Sequence, residues 1–82
     1  MNLSQLTKGQ EAIIISISES PISLKLLEMG CIPGEKLILE NVAPFGDPIA
    51  ISVSGYKLSL RLDEANFILV EVINSQKKDF AA

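Results

Sequence analysis

The sequence predicts a mainly β protein, a small five-stranded barrel with one short helix inserted after the first strand. Three observations predict it. Apolar and polar residues alternate in short runs, most cleanly from Ile49 to Val53 and from Tyr56 to Leu62, and period-two alternation places one face of a strand on a core. Helical spacing occurs once, at Ile22, Leu26 and Met29, which stand at i, i+4 and i+7. Turn-forming residues punctuate the chain at Gly30, Pro33-Gly34, Pro44 to Pro48 and Ser54-Gly55, leaving room for short strands and tight connections.

Met1 to Lys8 is a lead-in whose Leu3 and Leu6 suit one helical turn or an anchor on the barrel, and Gly9 ends it. Gln10 to Ser18 is the first strand, rich in β-branched residues that favour extended backbone. Ile13, Ile15 and Ile17 form its expected inward face, with Ala12 and Ile14 on the other. Ser20 then offers a cap and Pro21 suits the first helical position. The expected helix spans about Ile22 to Met29. It is too short to be stable alone, so its Ile–Leu–Met stripe must pack on the sheet. Gly30 suits the left-handed residue that closes a helix, and Pro33 with Gly34 makes a tight turn.

Glu35 to Val42 is the second strand, with Leu37 and Leu39 on one face. The loop Ala43 to Pro48 holds Pro44, Gly46 and Pro48 and interrupts the alternation. Ser54-Gly55 is a two-residue hairpin signal between the third and fourth strands. Tyr56, Leu58, Leu60 and Leu62 are expected inward on the far side of it. Asp63 to Asn66 reads as one helical turn capped by Asp63, and Phe67 to Ile73 is the last strand, with Ile68, Val70 and Val72 inward. Closing the sheet would remove its edges. An open Greek-key barrel of the OB type is disfavoured, because that fold carries its helix later in the chain. Residues 1–74 are the expected domain, and residues 75–82 an expected flexible tail.

The 82 residues suffice for one domain, and 48% hydrophobic residues for one core. A core of that size leaves a few kcal/mol of net stability, which makes self-association an expectation. A net charge of −3, with the one basic pair at Lys77-Lys78, argues against a nucleic-acid surface. The N-terminal stretch has no basic region ahead of an apolar one, and the apolar runs are far too short to span a bilayer. A lone Cys31 suits a reducing compartment. A cytoplasmic location is therefore expected.

Four segments stand in a specific order. They are Leu6-Thr7-Lys8-Gly9, then Leu26 to Gly34, then Ala43-Pro44-Phe45-Gly46-Asp47-Pro48, then Leu60 to Ala65. In that combination the chain, from about Leu3 to Val72, resembles the FeoA family, small cytoplasmic components of bacterial ferrous iron uptake. The resemblance implies an SH3-like barrel. It also implies a partner, the FeoB-type membrane iron permease with its cytosolic GTP-binding part. The same fold ends some iron-dependent repressors, whose DNA-binding helices have no counterpart in these residues. Lys25 stands where the family often has arginine, which loses planar bidentate pairing. Cys31 stands where it usually has an aliphatic residue.

No residues point to catalysis. Histidine is absent, and there is no nucleophile elbow and no phosphate-cradling loop. Cys31 has no second thiol or imidazole at metal-site spacing, so it reads as a small buried hydrophobe. Glu28, Glu35 and Asp47 do not form a spaced ligand set. No cofactor is expected, and the chain is not expected to be an enzyme. What remains is binding. Lys25, Met29, Phe45 and Asp47 are the candidate partner contacts, on a face made by the helix end and the proline-bracketed loop. Gly30, Pro33, Gly34, Pro44, Gly46, Pro48 and Gly55 are assigned to turns. Two readings of Phe45 stand side by side: a plug for the barrel end, or an exposed apolar anchor. Asp47 is expected to bond its local backbone. The rival function is a generic barrel that self-associates or binds a peptide, with no link to iron.

Overall fold

The structure is a computed structural model that describes residues 1–73. The expected tail, residues 75–82, lies outside the described residues. A 3-10 turn at Leu3–Gln5 leads into β1 (Glu11–Ile17), α1 (Ser23–Glu28), β2 (Lys36–Val42), β3 (Ile49–Val53), β4 (Tyr56–Leu60), α2 (Leu62–Ala65) and β5 (Ile68–Val72). All neighbouring strands are antiparallel, in the order β4-β3-β2-β1-β5. The expected closure of the ladder is not found. No ladder joins β4 to β5 among the described residues, so β4 keeps an open edge.

The core sits inside the curl of this sheet. Leu37 and Leu39 of β2, Ile49, Ile51 and Val53 of β3, and Ile68 and Val70 of β5 are buried, as their alternation predicts. Leu3 and Leu6 are buried too, so the lead-in both turns and anchors. Its Leu3–Gln5 turn lies beside β5, where Asn2 bridges to Leu69.

Two strands differ from expectation. In β1 the buried pair is Ala12 and Ile14, while Ile13 and Ile15 face solvent. Both faces of this strand are apolar, so its own pattern cannot choose between them. The neighbours choose: Ala12 lies opposite Leu37 and Val72, and Ile14 opposite Val70. Residues paired across strands share a face, and those partners point inward. A register shift between Ile14 and Ser16 then changes the phase. It returns Ile17 to the core side opposite Ile68, as a bulge does when two residues oppose one. In β4, Leu60 is buried and Leu58 packs against the core, but Tyr56 is largely exposed. Tyr56 lies opposite the buried Val53, but it is the first residue after the hairpin turn on the terminal strand, with no further strand beside β4 among the described residues to cover it.

The helix is shorter than its apolar stripe. Pro21 falls in the preceding turn, where Ser23 Oγ donates to the Ser20 carbonyl at 3.0 Å and Ser20 Oγ accepts from Ile22 N–H at 3.3 Å. Leu26 is fully buried, and Ile22 and Met29 pack against the core from either side. At the other end Cys31 N–H donates to the Leu26 carbonyl at 3.0 Å and Gly30 N–H to Leu27 at 3.1 Å. That pair of bonds is a Schellman closure, with Gly30 at φ +103° in its left-handed position. Cys31 lies buried beyond it, and burial pushes its thiol pKa up, as expected of a small hydrophobe.

Candidate functional site

The loop between β2 and β3 is built as a rigid projection. Gly46 N–H donates to the Ala43 carbonyl at 2.7 Å, closing a four-residue turn around Pro44 and Phe45. Proline at its second position and glycine at its fourth are the usual occupants. Ala43 N–H donates to the Pro48 carbonyl at 3.0 Å and closes the base. Phe45, at the third position of a turn that points away from the barrel, is 99% exposed. The plug reading of Phe45 is thereby excluded.

Asp47 does not serve its own turn. Its Oδ1 accepts from Leu62 N–H at 3.1 Å, fifteen residues away in sequence. Helix α2 begins at Leu62, one residue before the expected cap at Asp63. Its free N–H groups need acceptors, and Asp47 supplies one from outside. Glu64 Oε1 supplies another, accepting from Arg61 N–H at 3.0 Å. One carboxylate therefore ties the base of the projecting loop to the connection between β4 and β5. Asp47→Ala is expected to cost about 1 kcal/mol, and Asp47→Asn, which keeps an acceptor, to recover most of it. Urea midpoints of the two variants measure the difference.

The expected docking face is divided. Gly30, at the end of α1, lies against the β3–β4 turn, where an added Cβ would meet Ser54 at 3.6 Å. Met29 shares a cleft there with Glu28, Tyr56 and Leu58. Asp47 and Pro48 border a second cleft with Ser59, Arg61 and Glu64. The hairpin runs from the pair Val53–Tyr56 to the pair Ile49–Leu60, a span of about 13 Å at the usual rise per residue. Met29 and Asp47 thus flank opposite ends of β4. Lys25 is exposed on α1. The remaining turn residues hold their expected places: Pro33 and Gly34 are central in a turn closed by Glu35 N–H to the Ile32 carbonyl at 2.9 Å, and Gly55 follows Ser54 in the hairpin with both at positive φ.

Sequence reasoning misses Tyr56 as a surface residue, while its alternation correctly leaves Arg61 on the outward face. Tyr56 was assigned inward by alternation, although the adjacent Ser54-Gly55 turn marks the end of the hairpin. Among the described residues the one ion pair is Lys36 to Glu11 at 3.8 Å, on β2 and β1. No group of three His, Cys, Asp or Glu is placed to hold a metal among them. Glu35 accepts from Ser54 Oγ at 2.9 Å, and Asp47 is occupied by Leu62. No helix of the described residues is long and apolar enough to cross a membrane.

This arrangement of a barrel, a short helix and a projecting loop matches known proteins. Residues 1–72 match the FeoA domain. The chain belongs to the FeoA family. A FeoA-like protein from Clostridium acetobutylicum is 40% identical, and its solution structure covers 89% of this chain and 86% of its own at a TM-score of 0.84. FeoA of Stenotrophomonas maltophilia, solved with zinc and described as a procaryotic SH3 domain protein, is 28% identical. That match covers 87% of this chain and 89% of the other, at a TM-score of 0.79. The SH3-like architecture is thus that of the family. A Porphyromonas gingivalis protein described as a fusion of Fe(2+) transport protein A and the Fe(2+) transporter FeoB is 36% identical over 76 residues. Those residues are 92% of this FeoA-family chain but 9% of the fusion protein.

Proposed function

We propose that this chain is an accessory protein of ferrous iron uptake that works by docking on the cytosolic, GTP-binding part of a FeoB-type permease. The observation that carries this reading is the fusion relative. In that protein the same domain and the transporter are one polypeptide, which gives the two a high effective concentration. The site agrees with a binding role. Phe45 is a fully exposed aromatic on a loop held by two main-chain bonds and by Asp47. An anchor already held in place loses little freedom on docking, and aromatic anchors carry a large share of interface energy. In this reading the domain adds no catalysis of its own and acts on the cytoplasmic side. Lys25 and Asp47 are rim contacts that contribute little alone, and Met29 contributes from the neighbouring cleft.

The test is calorimetric titration of the permease's cytosolic part with this chain, with and without GTP. Phe45→Ala is expected to lower affinity about 30-fold, the equivalent of about 2 kcal/mol. Its melting temperature is expected to stay within the range of an ordinary surface change, about 0.5 kcal/mol, because the side chain touches no core. Absence of binding in both nucleotide states would reject the reading. Unchanged affinity of Phe45→Ala would move the contact off this loop.

A further inference from the structure

We propose that the open edge of β4 is a docking strand for an extended peptide segment that carries carboxylates. The proposal does not rest on the permease reading: the main-chain edge of β4 plays no part there, only the Met29 cleft is common to both, and the test uses synthetic peptides.

The register of the hairpin decides which groups face outward. Ser54 and Gly55 alone connect Val53 to its partner Tyr56. In a two-residue hairpin that flanking pair is hydrogen-bonded, and bonded and non-bonded pairs alternate along the ladder. Ile51–Leu58 and Ile49–Leu60 are therefore bonded pairs. Ser52–Lys57 and Ala50–Ser59 are not. The main-chain N–H and C=O groups of Lys57 and Ser59 consequently point away from β3. Among the described residues no loop or cap bond takes them up, and no other strand pairs there. An extended chain laid along this edge would meet two donors and two acceptors in strand register, as in β-strand addition.

The side chains give the occupant its chemistry. Lys57, Ser59 and Arg61 alternate along the edge and are exposed. Neither cation has a carboxylate at ion-pair distance among the described residues. Near Arg61, Asp47 accepts from Leu62 N–H and Glu64 from Arg61 N–H, while Asp63 lies exposed in the first turn of α2. At the other end Met29, Tyr56 and Leu58 offer an apolar cleft, rimmed by Glu28. Two cations without an ion-pair partner among the described residues, Lys57 on β4 and Arg61 just past its end, in a chain with net charge −3, select an acidic occupant whose alternate side chains are apolar. An edge lysine is also a device against unwanted pairing. That device works through the cost of burying an unpaired charge, and a carboxylate on the incoming strand removes that cost, so the two roles differ in charge selectivity.

The experiment titrates the full 15N-labelled chain with two blocked pentapeptides, acetyl-Glu-Val-Glu-Val-Glu-amide and its lysine counterpart. The acidic peptide is expected to move the Lys57 and Ser59 amide resonances, and the basic one to bind about tenfold more weakly or not at all. Ser59→Pro removes the outward N–H from an edge position that tolerates proline. It is expected to melt with the wild type and lose the acidic peptide. The double variant Lys57→Glu with Arg61→Glu, which changes no main-chain group, is expected to reverse the preference. Equal response to both peptides, binding that leaves Lys57 and Ser59 unmoved, or a double variant that keeps the acidic preference would each overturn the proposal.

Discussion

Replacing Leu26 by alanine is expected to cost about 2–5 kcal/mol, the range for removing a fully buried leucine. For a domain this small that is comparable to the whole net stability, so a large part of the population should be unfolded at 37 °C. The position is critical for a local reason. Helix α1 has six residues and cannot persist without a surface to lie on. Leu26 is its one fully buried side chain, 1% exposed, while Ile22 and Met29 are only half-buried. Its carbonyl also accepts the Cys31 N–H that closes the helix. Losing the anchor therefore loosens both the helix and its exit. The urea midpoint measures the effect, and Leu24→Ala is the control. Leu24 is 66% exposed on the same helix, and its truncation should stay within about 0.5 kcal/mol. Equal midpoints for the two variants would show that α1 does not depend on Leu26.

Gly30→Val is expected to cost about 2 kcal/mol, because an L side chain is penalised in the left-handed region and a β-branched one more so. In a domain of this size that lowers the melting temperature by roughly 10 °C. The strain is in the backbone. A Cβ added at Gly30 would meet Ser54 Cβ at 3.6 Å and Oγ at 3.7 Å, ordinary contacts. Gly30→Ala should accordingly carry much of the same loss, since it shares the φ of +103° and differs little in contacts. Scanning calorimetry of the two variants separates the causes. A harmless alanine with a costly valine would place the strain in packing instead.

These two residues were legible in the sequence for different reasons. Gly30 was readable because a helical stripe, a glycine and a following proline constrain one another within a few positions. Leu26 was readable because it is the middle residue of a three-residue stripe. The same is true of β3, where Ile49, Ile51 and Val53 alternate with Ala50 and Ser52 and admit one orientation. Strand β1 was not readable to that depth. Its five residues from Ala12 to Ser16 include four apolar ones on two faces, and the inward face was chosen by Leu37, Val70 and Val72 across the ladders.

The candidate site divides along the same line. That a proline-bracketed turn lies at Ala43 to Pro48, and that it holds an aromatic with no strand to belong to, follows from the sequence alone. So does the absence of histidine and of any catalytic spacing. Whether Phe45 plugs the barrel or leaves it was settled only by the direction of the turn, which depends on how β2 and β3 curl. Asp47 reaching Leu62, the separation of Met29 from Asp47 along β4, and the open edge carrying Lys57 and Arg61 likewise depend on residues far apart in the chain. Local pattern determines which residues are extended, turned or helical, because backbone preference and side-chain period act over a few residues. Which groups meet, and which edge is left unpaired, is decided by strand order and register, and those exist only once the sheet has formed.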